Sequence, residues 1–194
     1  MPLTPQPYQR LHPINLILPL CTSAATLGLS IFQYPLFNSF LAAPPRAPRP
    51  KPTNKRTQDT TAVKISGAPL SSFWQTFLVP SASLIAGICL ASTTSGLLPA
   101  HGLRCLATPE SRAMSAWFSC GAALALGHLA FVPAVAGPIR TIVNCRAESE
   151  GEVGERNESA MRAWLWWHTV RTVLVDAPSL FCLARGVGLG FGGV

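Results

Sequence analysis

The stretch Trp-Leu-Trp-Trp-His-Thr-Val-Arg-Thr-Val-Leu-Val-Asp-Ala-Pro, from Trp164 to Pro178, decides the fold. It is apolar enough to lie in a lipid bilayer, yet it contains His168, Arg171 and Asp176. A charged group near the middle of a membrane helix costs about 2.5 to 3.5 kcal/mol on insertion scales, so such residues usually face a bundle interior and often have a function. We therefore expect a membrane helix with a polar inner face.

The composition places the whole chain in the same class as this stretch. Of the 194 residues, 48% are hydrophobic and 12% are charged, whereas soluble domains average about 25% charged residues. Four apolar stretches have the roughly 20 residues that a helix needs to cross a bilayer. They are residues 14–37, 73–98, 113–136 and 163–186. We predict an all-α fold, an integral membrane bundle of four transmembrane helices that forms a single domain over residues 1–194.

The first apolar stretch also has features of a signal peptide, since Arg10 precedes it. Its apolar run exceeds the roughly 7 to 15 residues of a signal-peptide core, and the nearest small-residue site, residues 41–43, runs into Pro44 and Pro45. An uncleaved span is therefore the preferred interpretation. The lack of Asp and Glu in the first 58 residues keeps a mitochondrial targeting segment as an alternative.

The net charge of +7 indicates membrane topology rather than nucleic-acid binding. Ten Lys and Arg residues lie in the first and third connections, against three in the N-terminal tail and the second connection. Cytosolic loops of membrane proteins carry such an excess, so both termini are predicted on the non-cytosolic side. The endoplasmic reticulum is the default location for a multi-pass protein of this kind, with membrane lipids as neighbours of the basic segments.

The two long connections are predicted to lack regular structure. Residues 44–69 form a basic, Pro-rich segment that favours an extended, solvated linker. Residues 147–160 combine Glu with Arg and Gly, which is typical of a flexible acidic loop. This loop contains the glycosylation sequon Asn157-Glu158-Ser159, which a cytosolic position would keep unmodified.

Several common chemistries are excluded. The chain has no phosphate-binding loop, no dinucleotide-binding glycine motif after a strand, no His-Glu-x-x-His and no Gly-x-Ser-x-Gly. The six cysteines form no Cys-x-x-Cys pattern, the acidic loop lacks EF-hand spacing, and the four histidines are scattered. We therefore expect no metal site and no organic cofactor.

Small residues are frequent in the second and third spans. They cluster at residues 86–87 and 92–96 of the second span, and at residues 121–123 and Gly127 of the third. Small side chains let helix backbones approach closely. The pattern favours a compact bundle over four separate membrane anchors.

The fourth span carries one polar stripe. At about 100° per residue, Trp164, Trp167, His168 and Arg171 fall within roughly 100° of one another. Asp176 lies off the direction of Arg171, so helix geometry leaves their pairing open. Two simpler interpretations also stay open, namely that the tryptophans form an interfacial belt and that Arg171 extends to the cytosolic interface.

The third span presents a second face to the interior. Trp117, Gly121, Leu124 and His128 share this face, because eleven residues return a helix to nearly the same direction. Together with the fourth-span stripe, they would line a pocket that contains two histidines and one arginine between indole walls. A helix-packing hydrogen bond is the simpler interpretation of His128.

The order and length of the spans resemble the anthrone oxygenase-like family, small four-span membrane proteins of fungal polyketide (secondary-metabolite) pathways. The most specific similarity is Phe131-Val132-Pro133 with Pro138, a charged loop, and then Trp164-x-x-x-His168-x-x-Arg171. Trp74 before an Ala/Gly/Ser-rich span is a second similarity, and the resemblance covers roughly residues 25–187. The chain departs from the family in having His168 where Asn is usual, Ile139-Arg140 in place of a Thr-Asn pair, and a longer linker.

The resemblance implies a monooxygenase-type reaction in which molecular oxygen oxidises an anthrone to a quinone without an organic cofactor. Such a reaction needs a base, an oxyanion partner and an apolar pocket. The implied catalytic residues are His168 as base, Arg171 as oxyanion partner and His128 as alternative base or proton relay. The implied substrate contacts are Trp164, Trp167, Trp117 and Asp176.

The resemblance also implies partners. The substrate would be a hydrophobic planar small molecule that arrives from the bilayer, and other pathway enzymes would be neighbours. The main alternative is a non-catalytic four-span scaffold or anchoring protein that docks partners through its basic linker and acidic loop. A transporter is a further alternative, and at this length it would have to act as an oligomer.

Overall fold

The computed structural model describes residues 12–42, 65–145 and 150–191, which are helical apart from short turns. Helix α1 covers Pro13–Asn38, and α2 covers Ala68–Arg104. The third span combines α3 (Pro109–Gly127), a 3₁₀ turn (His128–Phe131) and α4 (Val132–Val143). The fourth span combines α5 (Glu150–Arg171), a π-helical turn (Thr172–Asp176) and α6 (Ala177–Phe191).

Four helical segments are long and apolar enough to cross a membrane. They are Pro13–Asn38, Ala68–Arg104, Pro109–Val143 and Gly151–Gly190. Each contains one of the apolar stretches predicted from the sequence, and the described parts of the chain contain no strand. The prediction of an all-α bundle of four spans is confirmed.

The prediction of a flexible loop over residues 147–160 is wrong from Glu150 onward, where α5 begins. The physical reason is a tertiary contact that the local sequence does not reveal. Asn157 is fully buried, and its Nδ2 donates to the Gly67 carbonyl at 3.2 Å and to Ser71 Oγ at 2.9 Å. The amide nitrogen of the sequon is therefore used to join α5 to the start of α2.

Parts of both predicted connections lie outside the described residues. These parts are residues 44–64 of the basic linker and residues 146–149 of the acidic loop. The end of the predicted linker is described, and there residues 65–67 form a turn that leads into α2 at Ala68. The second span therefore begins earlier than the apolar stretch alone indicates.

The spans pack in chain order around the bundle. Helix α1 packs on α2, α2 on α3, α3 on α6, and α6 on α1. Two apolar clusters fill the ends of the bundle. One consists of Phe37, Leu70, Trp74, Ile142, Ala160, Met161 and Trp164. The other consists of Leu16, Ala100, Leu103, Met114, Phe118 and Leu183.

Helices α3 and α6 approach each other at Gly121. A Cβ atom built on Gly121 would lie 2.6 Å from Cγ of Leu183 and 3.2 Å from the carbonyl oxygen of Ser179. The Ser179 hydroxyl donates to the Gly121 carbonyl at 2.8 Å. Gly96 of α2 comes similarly close to Ala122, where a Cβ atom would lie 3.1 Å from the Ala122 Cβ. These contacts agree with the compact bundle that the small residues predict.

The connection between α2 and α3 is short and well capped. Thr108 Oγ1 accepts from the Ser111 N–H, and Ser111 Oγ accepts from the Thr108 N–H, each at 3.1 Å. Pro109 occupies the first turn of α3, where its missing N–H costs nothing. Arg104 Nε, at the end of α2, donates to Ser115 Oγ at 3.1 Å. The two helices are therefore held as antiparallel neighbours.

Candidate functional site

A π-helical turn places Asp176 on the same face of the fourth span as Arg171. The Ala177 N–H donates to the carbonyl of Thr172, five residues back. Pro178, the next residue, has no N–H with which to continue the α-helical pattern. In a regular α-helix, residues five apart point about 140° away from each other. The π turn removes this offset, so the pair that helix geometry leaves open does form.

Asp176 is the centre of a buried polar cluster that also contains Ser30, His128, His168 and Arg171. Its Oδ1 lies 2.8 Å from Nδ1 of His128, and its Oδ2 accepts from Ser30 Oγ at 2.9 Å. Nε of Arg171 lies 3.5 Å from the same Oδ2, an ion pair in which Nε makes no hydrogen bond. A buried charge is tolerated only when it is paired, and the cluster draws its pairing groups from α1 and from the third and fourth spans.

Both ring nitrogens of the fully buried His168 are engaged. Nη2 of Arg171, which can only donate, lies 2.6 Å from Nδ1, and the carbonyl oxygen of Ser30, which can only accept, lies 2.8 Å from Nε2. These partners assign a neutral imidazole with its proton on Nε2. In this arrangement His168 has no lone pair for a substrate proton, and its Nδ1 accepts from Nη2 of Arg171.

His128, unlike His168, has a ring nitrogen that makes no hydrogen bond within the described residues. Because the carboxylate of Asp176 accepts at Nδ1, the proton of the neutral ring lies on Nδ1. Nε2 has no hydrogen-bond partner among the described residues, and His128 lines the large cavity described next. A carboxylate in this position fixes the ring orientation and stabilises the imidazolium that forms when Nε2 takes a proton. The geometry therefore favours His128 over His168 as a base.

A cavity of about 430 Å³ lies beside the polar cluster, between α2 and the junction of the third span. Its volume is within the roughly 300 to 1,000 Å³ of small-molecule sites. Aromatic rings from three spans form much of its wall, namely Trp74, Phe77, Phe131 and Trp164. Ala82 on α2 and Val132 on α4 are exposed and also belong to the lining, so the cavity reaches the apolar outer surface between these helices.

Polar residues occupy three parts of this cavity, and one of these is the half-buried Ser81 on α2. Gln33, His128 and Arg171 lie on its buried wall, and Arg140 lies exposed at its rim. Nη1 of Arg171 has no hydrogen-bond partner within the described part of the chain, whereas Nη2 is occupied by Ser30 and His168. The inner wall thus offers a base nitrogen, a guanidinium N–H group and the Gln33 side chain to a ligand whose other contacts are mostly apolar.

Trp164 connects the polar cluster to the aromatic wall. Its ring stacks on His168 with centroids 4.8 Å apart and planes 12° apart, and it meets Trp74 edge to face at 5.4 Å. Tyr34 covers His168 at 5.0 Å and donates its hydroxyl to Thr169 Oγ1 at 2.8 Å. These contacts fix the rings in place before any ligand binds.

Trp167 is not among the residues that line the cavity, and its role as a substrate contact stays a prediction. Its side chain is 38% exposed. The buried face of the fourth span follows Trp164, His168 and Arg171 at intervals of four and three residues, and Trp167 lies on the flank of that face. A surface position agrees with the simpler interpretation of Trp167 as a lipid-facing aromatic residue.

Trp117 is also absent from the lining of the cavity, and its role as a substrate contact stays a prediction. It packs edge to face against Phe181 with ring centroids 6.0 Å apart. Trp117 and His128 share a helix direction, but eleven residues separate them by about 16 Å along the axis. A shared helix direction therefore gives no information about depth along the axis.

The first span contributes residues that the sequence interpretation missed. Ser30 bonds to three members of the polar cluster, and Gln33 lies on the cavity wall. A signal for both is present in the sequence, because Ser23, Ser30 and Gln33 are polar residues spaced by seven and three in an apolar span. All three are buried, so they mark the inner face of α1.

Within the described residues, no three His, Cys, Asp or Glu side chains come together in a way that could hold a metal ion. No protein-family model, curated protein or solved structure matches the chain. The site is therefore defined by its own geometry. It is a buried His–Asp pair beside an arginine and an aromatic cavity, inside a four-span helical bundle.

Proposed function

We propose that the chain is a membrane enzyme that oxidises a planar aromatic substrate of the anthrone type with molecular oxygen. The observation that carries the proposal is the His128–Asp176 pair at the wall of the aromatic cavity. It provides a base with a free nitrogen next to a ligand-sized apolar space. The resemblance to anthrone oxygenase-like proteins supplies the reaction that fits such a space.

In the proposed reaction, Nε2 of His128 removes one proton from the methylene carbon of the anthrone. The charge of the resulting anion is delocalised onto the ketone oxygen, where Nη1 of Arg171 stabilises it. Oxygen forms a bond to the methylene carbon, and the proton returns from His128 to give a hydroperoxide. Cleavage of the O–O bond and of the remaining C–H bond releases water and leaves a second ketone. One anthrone and one O₂ therefore give one quinone and one water, and no additional reductant is needed.

The neighbouring residues have supporting roles in this proposal. His168 and Ser30 are positioning residues, because they hold Nη2 of Arg171 and leave Nη1 for the ligand. Trp164 and Trp74 offer flat faces or edges to a planar substrate, an arrangement that adds to the free energy of apolar burial. A lipid-soluble substrate would enter sideways, between Ala82 and Val132.

Isotopically labelled O₂ tests the proposed reaction. The purified protein in lipid nanodiscs is given an anthrone under labelled O₂, and the quinone is analysed by mass spectrometry beside protein-free nanodiscs. We expect one labelled oxygen atom in the quinone, formed well above the spontaneous rate. If the protein adds nothing to the spontaneous rate, the oxygenase proposal fails and the non-catalytic scaffold becomes the better account.

We also propose that the basic first and third connections face the cytosol, with both termini on the opposite side and the endoplasmic reticulum as the host membrane. The distribution of Lys and Arg supports this orientation. In this orientation the aromatic cavity, which extends along α2 from Trp74 to Ala86, lies in the cytosolic half of the membrane.

A further inference from the structure

Gln33 is a buried polar residue whose side chain has no partner within the described part of the chain. It lies on α1, three residues after Ser30, and is only 9% exposed. It lines the large cavity and also a small space of about 10 Å³ that it shares with Ser30 and His128. Its side chain therefore borders both the polar cluster and the space in which a ligand would bind.

An unpaired amide in this position requires an explanation. Buried polar groups in native proteins are nearly always hydrogen-bonded, and the few exceptions commonly await a ligand or a water molecule. A membrane interior offers no bulk water to pair with the amide, so the occupant of the cavity is the natural partner. A Gln amide both donates and accepts. The group that matches it on a planar aromatic molecule is a phenolic hydroxyl, which also does both.

We propose that Gln33 is a specificity-determining residue that binds a phenolic hydroxyl group, so that the site selects hydroxylated polycyclic aromatics over those without a hydroxyl. The inference deepens the proposed function, since it concerns the ligand of the same cavity. It depends on ligand binding and does not require turnover. A site that hydrogen-bonds a hydroxyl discriminates strongly against an analogue that lacks it, because the polar group of the protein is then left unpaired.

Binding of inert quinones tests this inference without turnover. The probes are 2,6-dihydroxyanthraquinone and 2,6-dimethylanthraquinone, which are similar in size, and tryptophan fluorescence quenching in nanodiscs reports their affinities. The variants are Gln33→Met, which removes the amide, and Gln33→Glu, which retains a polar group. Gln75→Leu is the matched control, because Gln75 is exposed and bonds to the Val143 carbonyl instead. Partitioning of each probe into the bilayer is the same for every variant, so the ratio of the two affinities is the quantity to compare.

The ratio compared is the affinity for the dihydroxy compound divided by the affinity for the dimethyl compound. We expect this ratio to be about tenfold higher for the unmodified protein and for Gln75→Leu than for Gln33→Met. Thermal unfolding of the ligand-free proteins provides an independent measurement. Gln33→Met should unfold at the same or a higher temperature, because it removes an amide that makes no hydrogen bond within the described residues. An unchanged affinity ratio in a folded Gln33→Met variant would overturn the inference, and so would a loss of stability, since it would show that the amide is already paired inside the protein. Failure of anthrone oxidation with the affinity ratio intact would overturn only the proposed reaction.

Discussion

Nδ1 of His128 lies 2.8 Å from Oδ1 of Asp176, and both side chains are almost completely buried. The two residues belong to the third and fourth spans, so this contact exists only in the assembled bundle. The same carboxylate also contacts Ser30 and Arg171. In the proposed reaction, catalysis and stability therefore depend on the same carboxylate, and each variant has to be measured for both.

Replacing His168 by glutamine should preserve the fold and retain turnover to within a few-fold. An amide supplies one acceptor for Arg171 and one donor for the Ser30 carbonyl, the two roles that the imidazole has here. His168→Leu supplies neither group and should destabilise the protein by about 1 to 3 kcal/mol. Thermal unfolding and turnover of both variants are the measurements. A stable His168→Gln variant without turnover would restore His168 as the base.

Removing either partner of the Arg171–Asp176 ion pair should lower the free energy of unfolding. Arg171→Met leaves the carboxylate of Asp176 buried without its counter-ion, and Asp176→Asn leaves the guanidinium in the same state, so each should destabilise the protein by about 3 to 5 kcal/mol. The double variant should lose clearly less free energy of unfolding than the two single variants lose together, because no unpaired charge remains. Denaturation of the four proteins in one detergent gives the coupling, and strictly additive losses would contradict the pairing.

Gly121→Ala should destabilise the bundle by about 1 to 3 kcal/mol, because the new Cβ would lie 2.6 Å from Leu183 Cγ and close to the α6 backbone. Gly87→Ala is the matched control, since no atom lies within 4 Å of a Cβ at that position. The control should be neutral or slightly stabilising, as alanine favours a helix more than glycine does. Equal thermal stability of the two variants would argue against close packing of α3 and α6.

The sequon at Asn157 should carry no glycan. Its Nδ2 is buried against Gly67 and Ser71, and the proposed orientation also places it on the cytosolic side. Endoglycosidase treatment of the protein made in eukaryotic cells should leave its electrophoretic mobility unchanged. A sequon appended to the C-terminus through a flexible linker should be modified, because that end is proposed to be non-cytosolic. A glycan on Asn157 would show that the proposed orientation is the wrong one, and it would contradict the packing of α5.

The sequence predicts the fold well because bilayer thickness imposes a length that apolar stretches reveal directly. It predicts the start of α5 poorly for an equally physical reason. The Glu-rich segment has the composition of a loop, and it is helical where Asn157 reaches across to Ser71 of another span. No local pattern contains that partner.

The site shows the same division between local and tertiary information. Helical periodicity places Trp164, His168 and Arg171 on one buried face, as the structure has them. The same periodicity leaves the Arg171–Asp176 pair open, because it assumes a regular helix and the π turn changes the register. The proton positions of the two histidines depend on which atoms their nitrogens contact. The partner of His168 Nε2 is Ser30 on the first span, and the partner of His128 Nδ1 is Asp176 on the fourth.

The most direct test of the central claim is oxygen uptake and quinone formation by nanodiscs that contain the His128→Gln variant, beside the unmodified protein. Glutamine is able to donate to Asp176 but has no basic nitrogen, and His101→Gln is the matched control because His101 is exposed on α2. We expect His128→Gln to lose at least about a hundredfold of the protein-dependent rate, the usual contribution of a general base, while its folded amount and quinone affinity stay close to normal and His101→Gln keeps full activity. A folded His128→Gln variant that oxidises the anthrone at the rate of the unmodified protein would contradict the assignment of His128 as the base.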